Sequence, residues 1–84
     1  MNKVMMYSKN YCPYCHAAKD LLTRKNVEFE VVEIGGNDAL RTEMMERSGR
    51  HTVPQIFIGD HHVGGFDDLS AAERSGELDR LLAA

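Results

Sequence analysis

Two kinds of hydrophobic pattern take turns along this chain. Val4-Met5-Met6-Tyr7 is a short unbroken apolar run between polar residues. That is how a strand buried on both faces reads, so a central strand is expected there. Ser8-Lys9-Asn10 forms the loop that leaves it. From Cys12 to about Asn26 the period lengthens to that of a helix. Cys15, Ala18 and Leu22 fall on one face, and Lys19, Asp20, Arg24 and Lys25 on the water-facing side. Val27-Glu28-Phe29-Glu30-Val31 alternates with period two, which predicts a half-buried strand. Strand, helix and strand with a crossover of this length predict a right-handed βαβ unit.

The second half is shorter in its elements. Gly35-Gly36-Asn37-Asp38 breaks the pattern and offers an N-cap. A helix is expected from about Asp38 to Ser48, with Leu40, Met44 and Met45 inward and Gly49 as its stop. Its methionines read as core filling. Thr52-Val53-Pro54-Gln55-Ile56-Phe57-Ile58 is a strand with Pro54 at its start, because proline cannot donate to a ladder. Gly59-Asp60 is a tight turn, and His61-His62-Val63 returns as a hairpin. Gly64-Gly65-Phe66 bends the chain. Asp67-Asp68 then opens a last helix with Leu69 and Ala72 inward. Gly76 interrupts it, and Leu78, Leu81 and Leu82 dock a final turn. The whole reads as α/β: βαβ followed by ββα, a four-stranded mixed sheet flanked by helices.

Size and charge narrow the function. The chain has 84 residues, 43% of them hydrophobic and 27% charged, which suits one domain spanning 1-84. A net charge of −3 carries no basic excess, so nucleic acid is not an expected partner. No stretch approaches the length of a membrane span. The apolar run near Met1 is too short for a secretory leader. A cytoplasmic, reducing location is expected, where a cysteine pair is catalytic more often than structural.

The two cysteines stand in Tyr11-Cys12-Pro13-Tyr14-Cys15-His16, between the first strand and the first helix. That setting marks Cys-x-x-Cys as a redox pair. With Cys12 at the N-cap and Pro13 at the first helical position, the sulfurs lie one turn apart on one face. A sulfur at that end meets unpaired N–H groups and the positive pole of the helix. Both favour the thiolate, which is the nucleophile. Cys15 belongs to the inward face and Cys12 to the tip, so their roles should differ.

Three other readings stand beside this one. A structural disulfide would close too short a loop to stabilise much. Half of a zinc site would need a second cysteine pair or a His-x-x-x-His spacing, and His16, His51, His61 and His62 form neither. Cys-x-x-Cys-His also marks haem attachment. The missing leader and the strand-then-helix context weigh against that.

Three motifs together carry a resemblance: Cys12-Pro13-Tyr14-Cys15, Thr52-Val53-Pro54, and Gly64-Gly65 followed by Asp67-Asp68. In this order and at these separations the chain resembles a glutaredoxin of the small dithiol bacterial kind, over essentially its full length. The resemblance implies a thioredoxin-like fold and a glutathione-dependent thiol–disulfide oxidoreductase. Such an enzyme reduces protein–glutathione mixed disulfides and protein disulfides. Cys12 matches the nucleophile and Cys15 the resolving thiol. Pro54 matches a cis proline facing the active site. Tyr14, Thr52 and Val53 match positions lining the glutathione groove. Lys9 and Arg41 match positions near the glycine carboxylate, with Arg50 and His51 as possible substitutes. Gly65, Phe66, Asp67 and Asp68 match the site of the γ-glutamyl end.

Charge agrees with this site. Glutathione carries two carboxylates and one ammonium. A helix N-terminus beside a carboxylate suits its γ-glutamyl end, where Asp67 or Asp68 can pair the ammonium. The plainer reading of these aspartates is helix capping, and the two are compatible. The plainer reading of Lys9 and Arg41 is solvated surface charge. His16, His61 and His62 read as surface residues.

The chain departs from the family in two places. Phe66 stands where many members carry a further cysteine. Ala17 stands where a basic residue is common. Monothiol relatives that hold iron–sulfur clusters carry Cys-Gly-Phe-Ser, and Pro13 here argues against a cluster. The expected set is therefore no metal and no tightly bound cofactor, with glutathione as reductant. Glutathionylated or disulfide-bearing proteins are the expected partners, with ribonucleotide reductase as one candidate, and a monomer is expected. The alternatives are a redoxin reduced by thioredoxin reductase and an iron–sulfur cluster carrier.

Overall fold

The structure, a computed structural model, describes residues 2–83. Its elements follow as β1 (Val4–Ser8), α1 (Pro13–Arg24), β2 (Phe29–Glu33), α2 (Asp38–Ser48), β3 (Gln55–Ile58), β4 (His61–Gly64), α3 (Phe66–Ser75) and α4 (Glu77–Ala83). The sheet order is β2-β1-β3-β4. β1 pairs in parallel with β2 and antiparallel with β3, and β4 returns antiparallel on β3. This is the βαβ–ββα mixed sheet that the hydrophobic pattern predicts.

The unbroken apolar runs mark the two central strands, because both of their faces are covered. Val4 and Met6 of β1 and Ile56 and Ile58 of β3 point to one side. There they pack with Ala18, Leu21 and Leu22 of α1, Leu69 of α3, and Leu78 and Leu82 of α4. Tyr7 and Phe57 point to the other side and pack with Ile34 and with Met44 of α2. Burying a side chain of this kind is worth about 1.5–3 kcal/mol, so these two layers are what hold the domain together.

Caps define the ends of the helices. Asn37 accepts the Leu40 N–H at 3.1 Å and starts α2. Gly49 ends it in the left-handed region at φ 71°, as expected of a helix-stop glycine.

Four local expectations shift. The second strand begins at Phe29 rather than Val27, and Val31 is 40% exposed while Val32 packs inward. Parallel pairing with β1 keeps the alternation, with Phe29 opposite Val4 and Val31 opposite Met6, but β2 is an edge strand and its face is left open at Val31. Met45 is 38% exposed, because only Met44 and the half-buried Leu40 meet the sheet. Lys25 does not simply face water. It is the C-cap of α1, and its Nζ reaches Glu73 of α3 at 2.9 Å and Asp79 of α4 at 2.6 Å. His62 is half-buried rather than a surface residue, for it stacks on Phe57 with centroids 4.8 Å apart.

Candidate active site

β1 ends at Ser8, and the loop Lys9-Asn10-Tyr11 carries the chain over the edge of the sheet to Cys12. His16 ties the loop back, its Nε2 lying 2.8 Å from the Asn10 carbonyl oxygen. Cys12 is the N-cap of α1, in extended backbone, and Pro13 takes the first helical position. The Cys12 sulfur accepts the Cys15 N–H at 3.3 Å. A serine or threonine oxygen does this at an ordinary N-cap. Here a nucleophilic atom takes that place, and it receives a donor and the positive end of α1 together.

The two thiols are not equivalent. Both are free, Cys12 partly exposed and Cys15 fully buried. Burial pushes the Cys15 thiol up, and its hydrogen bond with Cys12 adds to that. The Lys9 backbone and the Ser8 hydroxyl pull the other way. Cys15 is thus held as a protonated thiol beneath the exposed sulfur of Cys12.

The Val53–Pro54 peptide bond is cis. It lies against the pair, and the Val53 carbonyl accepts the Cys12 thiol proton at 3.8 Å. From there a groove of about 260 Å³ runs to the start of α3. Tyr14, Arg50, Thr52, Val53, Pro54, Gly65, Phe66, Asp67 and Asp68 line it. Tyr14 is 64% exposed and stacks on Phe66, with centroids 6.1 Å apart and planes at 29°. A larger cleft, about 600 Å³, opens where β1 and β2 begin and is lined by Asn2–Val4 and Asn26–Glu30. None of its lining residues touches Cys12, as Val53 of the smaller groove does, so size is no guide to the chemistry here.

Of the ten residues that the sequence singles out around a ligand, the fold brings eight onto this one groove. Lys9 and Arg41 do not line it; Lys9 is half-buried in the loop after β1, and Arg41 is exposed on α2. The lining cation is Arg50, which the sequence offers only as a substitute. Its place two residues before Thr52 is the one signal for it.

Charge on the groove is arranged at the N-terminus of α3. Asp68 accepts the Gly65 N–H at 2.9 Å and the Arg50 guanidinium at 2.8 Å. These two partners, Arg50 first, hold its carboxyl below the usual aspartate range. Asp67 is exposed and makes no ion pair among the described residues. The capping expectation therefore falls on Asp68, and Asp67 remains available to a ligand.

Known proteins similar to this chain in sequence and in fold are glutaredoxins. A family model described as glutaredoxin matches residues 4–63. Glutaredoxin 3 of Escherichia coli strain K12 is 56% identical over 82 residues, covering 98% of this chain and 99% of that protein. A glutaredoxin of Pseudomonas aeruginosa is 51% identical over 84 residues and the full length of both. Among solved structures, a buckwheat glutaredoxin–glutathione complex superposes with a TM-score of 0.90 at 32% identity, covering 98% of this chain and 77% of that one. The Brucella melitensis glutaredoxin solution structure gives 0.86 at 55% identity, with 98% and 89% covered. With its thioredoxin-like fold and its Cys12–Cys15 pair, this chain belongs to the glutaredoxin family.

Proposed function

We propose that this chain is a glutathione-dependent thiol–disulfide oxidoreductase, with Cys12 as nucleophile and Cys15 as resolving thiol. One observation carries the reading. The Cys12 sulfur accepts a helix N-terminal N–H at 3.3 Å and lies 3.8 Å from the carbonyl oxygen of Val53, which lines a groove that ends on a second helix N-terminus.

The steps follow from thiol–disulfide exchange. Cys12 thiolate attacks the glutathione sulfur of a mixed disulfide. The Cys12–glutathione bond forms, the substrate's S–S bond breaks, and the substrate thiolate leaves to take up a proton. A second glutathione thiolate then attacks that sulfur, releasing glutathione disulfide and restoring Cys12. Alternatively Cys15, once deprotonated, closes on Cys12 and expels glutathione, and two glutathiones later reduce the pair. Cys15 is held protonated by burial, so it does not compete as the first nucleophile. The same two thiols, in the same order, reduce a protein disulfide.

The groove fits the tripeptide. The Val53 backbone at the cis bond presents an edge along which an extended peptide can lie as an added strand. Thr52, Pro54 and Tyr14 frame it. The backbone N–H groups of the first turn of α3, at Phe66 and Asp67, suit the γ-glutamyl carboxylate, and the Asp67 side chain pairs the ammonium. Arg50, already on the groove, takes the role of nearby cation ahead of Lys9 and Arg41. The protein partners are glutathionylated or disulfide-bearing proteins, with ribonucleotide reductase as one candidate. The working state is a monomer in the cytoplasm. Among the described residues no helix is long and apolar enough to cross a membrane.

The test is steady-state reduction of a glutathione mixed disulfide, coupled to glutathione reductase and NADPH, for wild type, Cys12→Ser and Cys15→Ser. Wild type and Cys15→Ser should turn over, and Cys12→Ser should not. Folded wild type that oxidises NADPH only through thioredoxin reductase would replace glutathione as the reductant.

A further inference from the structure

One buried polar chain lies behind the groove without lining it. Gln55, the first residue of β3, is fully buried. Its amide nitrogen donates to the Thr52 carbonyl at 3.1 Å and to the Thr52 hydroxyl at 3.3 Å. Its amide oxygen lies 2.7 Å from His62 Nε2 on β4. A carbonyl oxygen only accepts, so the amide nitrogen must face Thr52 and the amide oxygen must face His62. That oxygen also only accepts, so Nε2 of His62 carries a proton. The direction of the chain is thereby set from His62 through Gln55 to Thr52.

The ring that starts the chain is clamped. His62 stacks on Phe57 at 4.8 Å with planes 29° apart. Phe57 is covered in turn by the Arg47 guanidinium, 4.2 Å from its centroid, and by Tyr7 edge-on at 6.0 Å. Tyr7 and Arg47 are joined by a 2.9 Å hydrogen bond. The stack therefore runs along the face of the sheet that α2 covers, from Arg47 to the hairpin, and it presents one N–H to the buried amide.

We infer that His62 is a positioning residue for the groove: its Nε2–H, relayed by Gln55, holds Thr52 and with it the Thr52–Val53–Pro54 wall. The inference rests on the reading that this groove takes glutathione. It gives a reason for a buried glutamine in a strand that is otherwise apolar. Burial and the nearby charge of Arg50 push the ring below its ordinary pKa, against an opposing pull from Asp68. A neutral ring with its proton on Nε2 is the form this environment favours.

The test compares wild type, His62→Phe and His62→Gln. Phenylalanine keeps the stack on Phe57 and removes the donor; glutamine restores a donor at similar reach. The KM for a glutathione mixed disulfide should rise about two- to tenfold in His62→Phe, the loss of one ordinary hydrogen bond. Its kcat should change little, and His62→Gln should restore most of KM. The Thr52 and Val53 amide resonances should move in His62→Phe and return in His62→Gln. Nitrogen-15 spectra of wild type should show the Nε2–H tautomer. An unchanged KM with unmoved amides, or an Nδ1–H tautomer, overturns the inference. Wild type without glutathione turnover would defeat the groove reading instead, and the amide shifts and tautomer would still decide the positioning role.

Discussion

Arg50 and Asp68 meet at 2.8 Å across the groove, and the same carboxylate oxygen caps α3 through the Gly65 N–H. One carboxylate therefore joins the loop before Thr52 to the helix that closes the far wall. Its lowered pKa gives the sign of the pH effect. The unfolded chain takes up this proton at higher pH than the folded one. The stabilisation is complete above the ordinary value of 3.8 and is lost as pH falls through the lower folded value. An NMR titration of the Asp68 carboxyl should show a midpoint below 3.8, and Arg50→Met should move it up. An ordinary midpoint in wild type would mean that the ion pair does not persist in solution.

The asymmetry of the two thiols should be visible chemically. Cys12 is partly exposed at a helix N-terminus, while Cys15 is fully buried with its thiol pushed up. The thiolate is the reactive form, so limiting iodoacetamide at neutral pH should label Cys12 well before Cys15. Peptide mass spectrometry reads the order directly. Equal labelling would remove the physical basis for separate roles.

His62 titrates in a second pH window. Burial first, and Arg50 second, lower its pKa from the ordinary 6.5. As pH falls below that value the unfolded chain binds this proton before the folded one does, so stability declines from there down to the folded pKa. The urea midpoint should be lower at pH 5.5 than at pH 7.5. His62→Phe should flatten part of that slope. The same slope in wild type and variant would assign it to other groups.

Gly64 is a steric requirement of the site. Its φ is 119°, and a Cβ there would run into the Asp68 carboxylate that caps α3. Gly64→Ala should cost more than about 1 kcal/mol, since the backbone is incompatible with alanine. It should also disturb the Asp68 titration. Thermal unfolding that matches wild type would show that the cap can give way freely.

Most of the groove's residues came from the family resemblance of three motifs, and the sequence by itself determined the element order, the covered central strands and the N-cap cysteine with Pro13 behind it. These follow from short-range physics: side-chain period, capping, and the missing N–H of proline. They are fixed within a few residues of each site, so they are legible locally. Only the tertiary structure decided which distant residues meet. Parallel pairing with β1 moved the start of β2 to Phe29, and the place of β2 at the sheet edge left Val31 exposed. Helix packing made Lys25 a link to Glu73 and Asp79. The folding of the 50–55 segment against β4 and α3 put Arg50 on the groove in place of Lys9 and Arg41, and His62 behind Thr52. Such contacts depend on sheet order and on the packing of elements far apart in the chain, and no local period encodes those.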